Sequence, residues 1–197
     1  MTRLHMAIPT SIEETLGLLE KCGPRAVVIA GGTDLVVELK DKLKSPKALI
    51  DIGRIPEISG IKETEDGDVW IGALSTHAEI ASSTMVKEAA PLLADACAMV
   101  GFPQIRNRGT IGGNISTASP AGDTVPALYV LEASVEIVGP KGKRVVPIES
   151  FFQGPKKSAL APCELVLGVR FPKLGKEYVS FFRKLGQRKS LAISIVS

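Results

Sequence analysis

The sequence predicts an α+β fold in two lobes: a small βαβ lobe, then a larger one built of helices and β-hairpins. Three observations predict it. A short apolar strand, a diglycine turn, a helix and a second strand follow one another between Ala26 and Ile52. Ile58–Lys62 with Val69–Ala73, and Ser134–Val138 with Arg144–Ile148, read as hairpins across short polar turns. Between the hairpins lies Ile105–Asp123, I-R-N-R-G-T-I-G-G-N-I-S-T-A-S-P-A-G-D, a stretch with almost no bulky side chains. Apolar helical runs at Pro91–Val100 and Thr124–Ala133 bracket it, which argues against a linker. Glycine allows positive φ and close backbone approach, and successive N–H groups at such bends suit phosphate oxygens. The stretch reads as an anion-cradling loop, with a purely structural turn as the alternative.

The elements follow in order. Ser11-Ile12-Glu13-Glu14 is a capping box opening a helix whose apolar face is Ile12, Leu16 and Leu19, and Gly23-Pro24 stops it. Ala26–Ala30 is a buried strand, Gly31-Gly32-Thr33-Asp34 a turn, Leu35–Lys42 a helix and Leu49–Ile52 the next strand. The turn sits at the carboxyl end of the first strand, where open α/β sheets place ligands. Ser75 or Thr76 caps a helix that contains His77, and Leu92, Leu93, Ala96 and Val100 give Pro91–Val100 a core-facing stripe. Thr124–Glu132 is a helix with Asp123 or Thr124 near its cap and Pro126 in its first turn. Phe151–Lys157 reads as a loop with aromatic anchors, and Glu164–Phe171, Tyr178–Lys184 and Leu191–Ser197 as strands.

Composition removes several function classes. A net charge of +3, without a Lys/Arg block, does not suit a nucleic-acid partner. No apolar run reaches the roughly 18 residues of a membrane span. The N-terminal M-T-R-L-H-M-A-I-P has no apolar signal core, so a cytoplasmic chain is the expectation. Cys22, Cys97 and Cys163 are scattered, form no C-x-x-C pair and predict neither a zinc site nor an iron–sulfur cluster on this chain.

The βαβ unit does not carry the dinucleotide fingerprint. Asp51 lies at a suitable distance, but Gly31 and Gly32 are adjacent and no third glycine follows. Asp34 reads most simply as a first-turn carboxylate or helix cap, with its side chain turned away from any phosphate. His77, without a carboxylate or nucleophile nearby in sequence, reads as a surface or capping histidine. Trp70 reads as core filler, although a flavin or base could stack on it.

Two diglycine bends in one chain suit a diphosphate that joins two nucleotide halves. At this point A-G-G-T-D-L (Ala30–Leu35) and R-N-R-G-T-I-G-G-N-I-S-T-A-S-P-A-G-D (Arg106–Asp123) resemble the paired signature of the FAD-binding subunit of molybdenum hydroxylases, the xanthine and carbon monoxide dehydrogenase family. G-A-L-S-T at Gly72–Thr76, E-L-V-L-G-V-R-F-P at Glu164–Pro172 and F-R-K-L-G-Q-R-K-S-L-A-I-S at Phe182–Ser194 are similar too. The resemblance implies a two-lobed FAD-binding domain of the PCMH type over residues 1–175, with a βαβ lobe to 55, a larger mixed-sheet lobe over 56–175, and the start of a C-terminal α+β domain at 176–197.

It also implies site residues. Ala30, Gly31, Gly32, Thr33, Asp34, Leu35 and Val36 match the first diphosphate loop. Thr110, Ile111, Gly112, Gly113 and Asn114 match the second, with the Thr110 hydroxyl and the following amides on the phosphates. Thr76 falls in the weaker third motif. Asp123 matches a carboxylate that hydrogen-bonds ribose or ribityl hydroxyls, a helix cap being the other reading, and Val166 matches an apolar flavin wall. Arg183 or Lys184 matches a cation near the isoalloxazine, and Val100 replaces an aromatic, which implies weaker stacking. No residue is assigned as acid or base.

The implied activity is electron transfer. A large subunit with a molybdenum cofactor oxidises substrate, a small subunit with [2Fe–2S] clusters relays electrons, and FAD on this chain passes them to NAD, a quinone or oxygen. Members continue through a C-terminal domain that shields the flavin edge, and this chain ends about where it starts, which implies a site open on one side. The rival readings are a stand-alone FAD oxidoreductase, a non-catalytic remnant without FAD, and an NAD-binding βαβ unit with Asp51 on a ribose.

Overall fold

The computed structural model describes residues 4–175, 177–186 and 194–196. The first sheet is parallel. It is built from β1 (His5–Ala7), β2 (Ala26–Ile29) and β3 (Ala48–Asp51) in the order β1-β3-β2. Helix α1 (Ile12–Cys22) connects β1 to β2, and α2 (Leu35–Lys40) leads toward β3. The sequence pattern missed β1 because its three residues are too few to show a period. Ser11 caps α1 by accepting from the Glu14 N–H at 3.1 Å, and Gly23 stops the helix with φ +60°. Helix α2 ends two residues before the expected Lys42, which turns out of the helix with φ +58°.

The second sheet has five strands in the order β4-β5-β10-β6-β7, and each pairing is antiparallel. These are β4 (Ile61–Glu63), β5 (Val69–Gly72), β6 (Ser134–Gly139), β7 (Gly142–Pro147) and β10 (Leu165–Phe171). β5 and β10 are buried along nearly their whole length, which explains why V-W-I-G and L-V-L-G-V-R-F run apolar rather than alternating. β7 alternates between exposed and half-buried residues, as an edge strand does. Residues Pro56–Ile58 form a 3₁₀ turn, so the expected first hairpin strand begins only at Ile61.

Six helices lie between β5 and β6: α3 (His77–Ser82), α4 (Thr84–Ala89), α5 (Pro91–Met99), α6 (Pro103–Arg106), α7 (Ile111–Thr117) and α8 (Thr124–Val130). Leu92, Leu93, Ala94, Ala96 and Cys97 of α5 are buried in the same core as Ile80 of α3, Leu128 of α8, and Ile71 and Val169 of the sheet. Full burial of each large aliphatic side chain contributes about 1.5–3 kcal/mol. The expected loop at Phe151–Lys157 is instead the end of α9 (Ile148–Phe151) and a small hairpin of β8 (Phe152–Gly154) and β9 (Lys157–Ser158). Tyr178–Lys184, expected as a strand, has no regular structure, and only β11 (Leu185–Gly186) pairs with β12 (Ser194–Val196). Residues 191–193 and 197 of the last expected strand, Leu191–Ser197, lie outside the described residues.

The two sheets meet through their connections. Ile111 N–H donates to the Ser75 carbonyl and Gly112 N–H to the Ala73 carbonyl, which seats the start of α7 on the end of β5. Lys156, in the β8–β9 turn, pairs with Glu38 of α2 at 3.1 Å.

Candidate functional site: a cleft between two interlocked glycine bends

A cleft of about 750 Å³ is lined by β2 and the bend after it, by α6, α7 and the segment up to Asp123, and by the start of β10. Both glycine bends line it. This size falls within the roughly 300–1,000 Å³ of ordinary cofactor and ligand sites.

The first bend leaves β2 at Ala30 and enters α2 at Leu35. Gly32 has φ +74°, a conformation that Cβ-bearing residues rarely adopt, so the second glycine of the pair is required by backbone shape. Gly31 is required for a different reason: a Cβ there would overlap the carbonyl of Arg108, in the second bend. Among the described residues, the N–H groups of Gly31 to Leu35 have no hydrogen-bond acceptor, while the next, Val36, donates to Gly32. The bend therefore offers a run of unsatisfied donors to the cleft. Asp34 occupies the N-cap position of α2, but its side chain makes no capping bond and is exposed.

The second bend corrects the sequence reading, because it is not a loop. Gly112 and Gly113 lie inside the first turn of α7, with Thr110 as its N-cap. The amides of Ile111, Gly112, Gly113 and Asn114 donate to Ser75 O, Ala73 O, Thr110 Oγ1 and Thr110 O. These four N–H groups, expected to hold phosphates, are thus used by the fold. The bend instead offers the Thr110 hydroxyl proton and the side-chain N–H groups of Asn114, whose Oδ1 accepts from Thr124 at 2.6 Å. Gly112 is buried against Ala73, whereas Gly113 is exposed toward the cleft.

The two bends touch. Besides the contact of Gly31 with Arg108, a Cβ on Gly109 would stand 3.5 Å from Thr33 Oγ1.

Residues 2–174 match the family of FAD binding domains in molybdopterin dehydrogenases. This chain belongs to that family. It is 41% identical over 193 residues to the nicotinate dehydrogenase FAD-subunit of Eubacterium barkeri, which covers 95% of this chain and 64% of the relative. It is 33% identical to the xanthine dehydrogenase FAD-binding subunit of Escherichia coli O157:H7, over 88% of this chain and 60% of the relative. Among solved structures, carbon monoxide dehydrogenase from Hydrogenophaga pseudoflava superposes with a TM-score of 0.93 at 36% identity, covering 98% of this chain and 66% of that one. The chain thus spans a little under two thirds of the length of these relatives.

The cofactor of this family is FAD, and the cleft fits it. The free amides of the first bend suit a diphosphate, and a buried acceptor suits a hydroxyl. That acceptor is Asp123 Oδ1, which has no hydrogen-bond partner among the described residues. Asp123 is 6% exposed and lines the cleft at the N-cap position of α8, but it makes no capping bond. Its other oxygen, Oδ2, accepts from Lys184 Nζ at 2.7 Å. Burial raises the Asp123 pKa, and the hydrogen bond and charge of Lys184 oppose that rise. Burial, then the Asp123 charge, pushes the neighbouring Cys97 thiol pKa up, so Cys97 is an inert core thiol.

The remaining assignments divide. Ala30, Val100 and Val166 line the cleft. Of the two candidate cations, Lys184 reaches the cleft through Asp123, while Arg183 is exposed and lies over the Phe181 ring, 5.6 Å from its centroid. Val36, Thr76 and Ile111 do not line the cleft: Val36 is 55% exposed, Ile111 is core, and Thr76 caps α3 in a capping box with Glu79. Asp51, the ribose ligand of the NAD reading, accepts from Gly53 N–H at 2.9 Å and stands outside the cleft. Trp70 packs in the second sheet, where its Nε1–H donates to Glu136 at 3.0 Å.

Sequence reasoning missed several cleft residues, three kinds of them instructive. Ser116 and Thr117 line it because the glycine-rich stretch is helical and carries them on the same face as Gly113. Glu164, held by a paired contact with Arg144 at 2.6 and 2.8 Å, lines it from the start of β10. His77, expected as a surface or capping histidine, is 2% exposed and lines the cleft as the first residue of α3, with its pKa pushed down to about 4 by burial. Only the G-A-L-S-T-H context, a capped helix following a buried strand, pointed to its burial.

Proposed function

We infer that this chain is the FAD-binding unit of a molybdenum-containing hydroxylase or dehydrogenase. Electrons from [2Fe–2S] clusters on a small partner subunit reach FAD here and leave for NAD, a quinone or oxygen, while a large subunit carries the molybdenum cofactor. The observation that carries the reading is the interlock of the two bends, Gly31 on Arg108 and Thr33 on Gly109, along one cleft. The named relatives, subunits and medium chains of nicotinate, xanthine and carbon monoxide dehydrogenases, support the complex as its setting.

Bound FAD would supply the redox chemistry, accepting electrons and releasing them to an acceptor. The protein's part is to hold and tune. The amides of Gly31 to Leu35 and the Thr110 hydroxyl donate to the diphosphate, and Asp123 Oδ1 accepts from a sugar or ribityl hydroxyl. Val166 and Val100 supply apolar wall. Lys184 balances the Asp123 charge, so that a carboxylate can stay ionised in a buried position.

Titration of the purified, flavin-free chain with FAD, followed by flavin fluorescence, tests the binding role, and failure to bind overturns it. Reduction of the bound flavin only when molybdenum and iron–sulfur subunits are supplied supports the electron path. Turnover by the chain alone would favour a stand-alone oxidoreductase.

A further inference from the structure

His77 is the one buried polar side chain on the cleft that the cofactor assignment above leaves without a role among the described residues. Its backbone N–H donates to the Gly109 carbonyl at 3.0 Å, which fixes the residue against the second bend. Its ring Cδ2 lies 3.2 Å from the place where a Gly109 Cβ would stand, and Thr33 Oγ1 of the first bend lies 3.5 Å from the same point. The imidazole and the Thr33 hydroxyl therefore flank Gly109 at the seam where the two bends meet.

The tautomer follows from the surroundings. Burial keeps the ring neutral, so it carries one N–H. Nδ1 is sealed from solvent and has no hydrogen-bond partner among the described residues. An N–H sealed without an acceptor is rarer and more costly than an unused lone pair. The proton thus belongs on Nε2, the nitrogen bonded to Cδ2, on the ring edge that faces Gly109. His77 lines the cleft, and Nε2, unlike Nδ1, is not sealed from solvent and makes no hydrogen bond among the described residues.

We propose that His77 is an additional cofactor-contact residue, whose Nε2–H donates to an anionic oxygen of the diphosphate at the seam, beside the Thr33 hydroxyl. This rests on the FAD reading above. A neutral donor suits the position because it adds a hydrogen bond to an anion without a second buried charge beside the Asp123–Lys184 pair.

The test uses the full chain with FAD and with ADP, which keeps the diphosphate and lacks the flavin. His77→Leu removes the donor at similar bulk, and His77→Gln keeps an N–H. The expected result is that His77→Leu weakens both ligands about tenfold, as for loss of one charge-assisted hydrogen bond, and that His77→Gln recovers most of the loss. Unchanged affinity in His77→Leu overturns the proposal. So does an equal loss in both variants, which would mark a space-filling ring. Should the variants fail to fold, ring ¹⁵N spectra of the wild-type protein decide. The chain has only two histidines, so His5→Gln assigns the signals. A neutral Nε2–H form whose Nε2 signal moves on adding ADP supports the proposal, and an Nδ1–H form or an unmoved signal overturns it. If the wild-type chain binds FAD and only the His77 results fail, the cofactor reading stands and this contact falls. If the wild-type chain binds neither ligand, both fall.

Discussion

Asp123 and Lys184 form an ion pair at 2.7 Å in which both side chains are nearly sealed from solvent, 7% and 10% exposed. Sixty-one positions separate them in sequence, so the pair ties the irregular segment before β11 to the start of α8 beside the cleft. A buried pair is costly to break from one side, because the remaining charge loses its partner in a low-dielectric place. Lys184→Met or Asp123→Asn should therefore destabilise the protein by about 3–5 kcal/mol, and the two changes together should recover most of that. Urea unfolding of the two single variants and the double variant measures the coupling. Single variants within about 0.5 kcal/mol of the wild type would show that the pair is solvated.

His77 makes stability depend on pH with a definite sign. Its folded pKa, about 4, lies below the ordinary value of 6.5, and burial alone is the cause. Between those values the unfolded chain binds a proton that the folded chain refuses. The contribution is fully present above pH 6.5 and is lost as pH falls toward 4, by up to about 3 kcal/mol. Asp123, with its raised pKa, works in the opposite sense: its contribution is present below its ordinary value and is lost as pH rises. The difference between wild-type and His77→Gln unfolding curves across this window isolates the histidine. It should shrink as pH falls, and a constant difference would mean that the ring is solvated.

The order of elements was legible where one residue type had one local job. Ser11 capping α1, Gly23 ending it and Pro126 in the first turn of α8 are decided within a few residues, and all three stand as read. The glycine-rich stretch misled for the same local reason. Glycine disfavours helix by about 1 kcal/mol relative to alanine, yet Gly112 and Gly113 are helical. The Ala73 and Ser75 carbonyls, which take the Gly112 and Ile111 amides, come from the exit of β5 and are invisible at short range. His77 was misplaced by the same kind of contact: the Gly109 carbonyl that fixes it lies thirty-two positions away. Asp123 was legible as a special carboxylate through the resemblance alone, and its pairing with Lys184, read in sequence only as one of two cations near the isoalloxazine, comes from the fold.

Gly112 and Gly113 should respond differently to the same change. A Cβ on Gly112 runs into the Cβ and carbonyl of Ala73, so Gly112→Val forces α7 off β5. It should lower stability by about 1–3 kcal/mol, as overpacking does. A Cβ on Gly113 meets only Thr110 Oγ1, at 3.0 Å, and otherwise projects toward the cleft. Gly113→Val should keep a near-native melting temperature and bind FAD at least about tenfold more weakly. Thermal unfolding without ligand, beside FAD titration, separates the two effects. Normal FAD affinity in folded Gly113→Val would show that this part of the helix does not face the cofactor.

The first bend permits a sharper comparison, because adjacent glycines are needed there for unrelated reasons. Gly32→Ala asks a Cβ-bearing residue to hold φ +74°, at a cost of about 1 kcal/mol in backbone strain. Gly31→Ala has no conformational problem but collides with the Arg108 carbonyl, so the two bends must part and carry Thr33 away from Gly109. FAD affinity should therefore fall more in Gly31→Ala than in Gly32→Ala, even where the two lose similar stability. Glu65→Gln serves as the control, because that side chain is exposed, stands outside the cleft and makes no hydrogen bond among the described residues. If Gly31→Ala binds FAD as well as Glu65→Gln does, contact between the bends is not what shapes the diphosphate site, and the free amides of Gly31 to Leu35 must suffice alone.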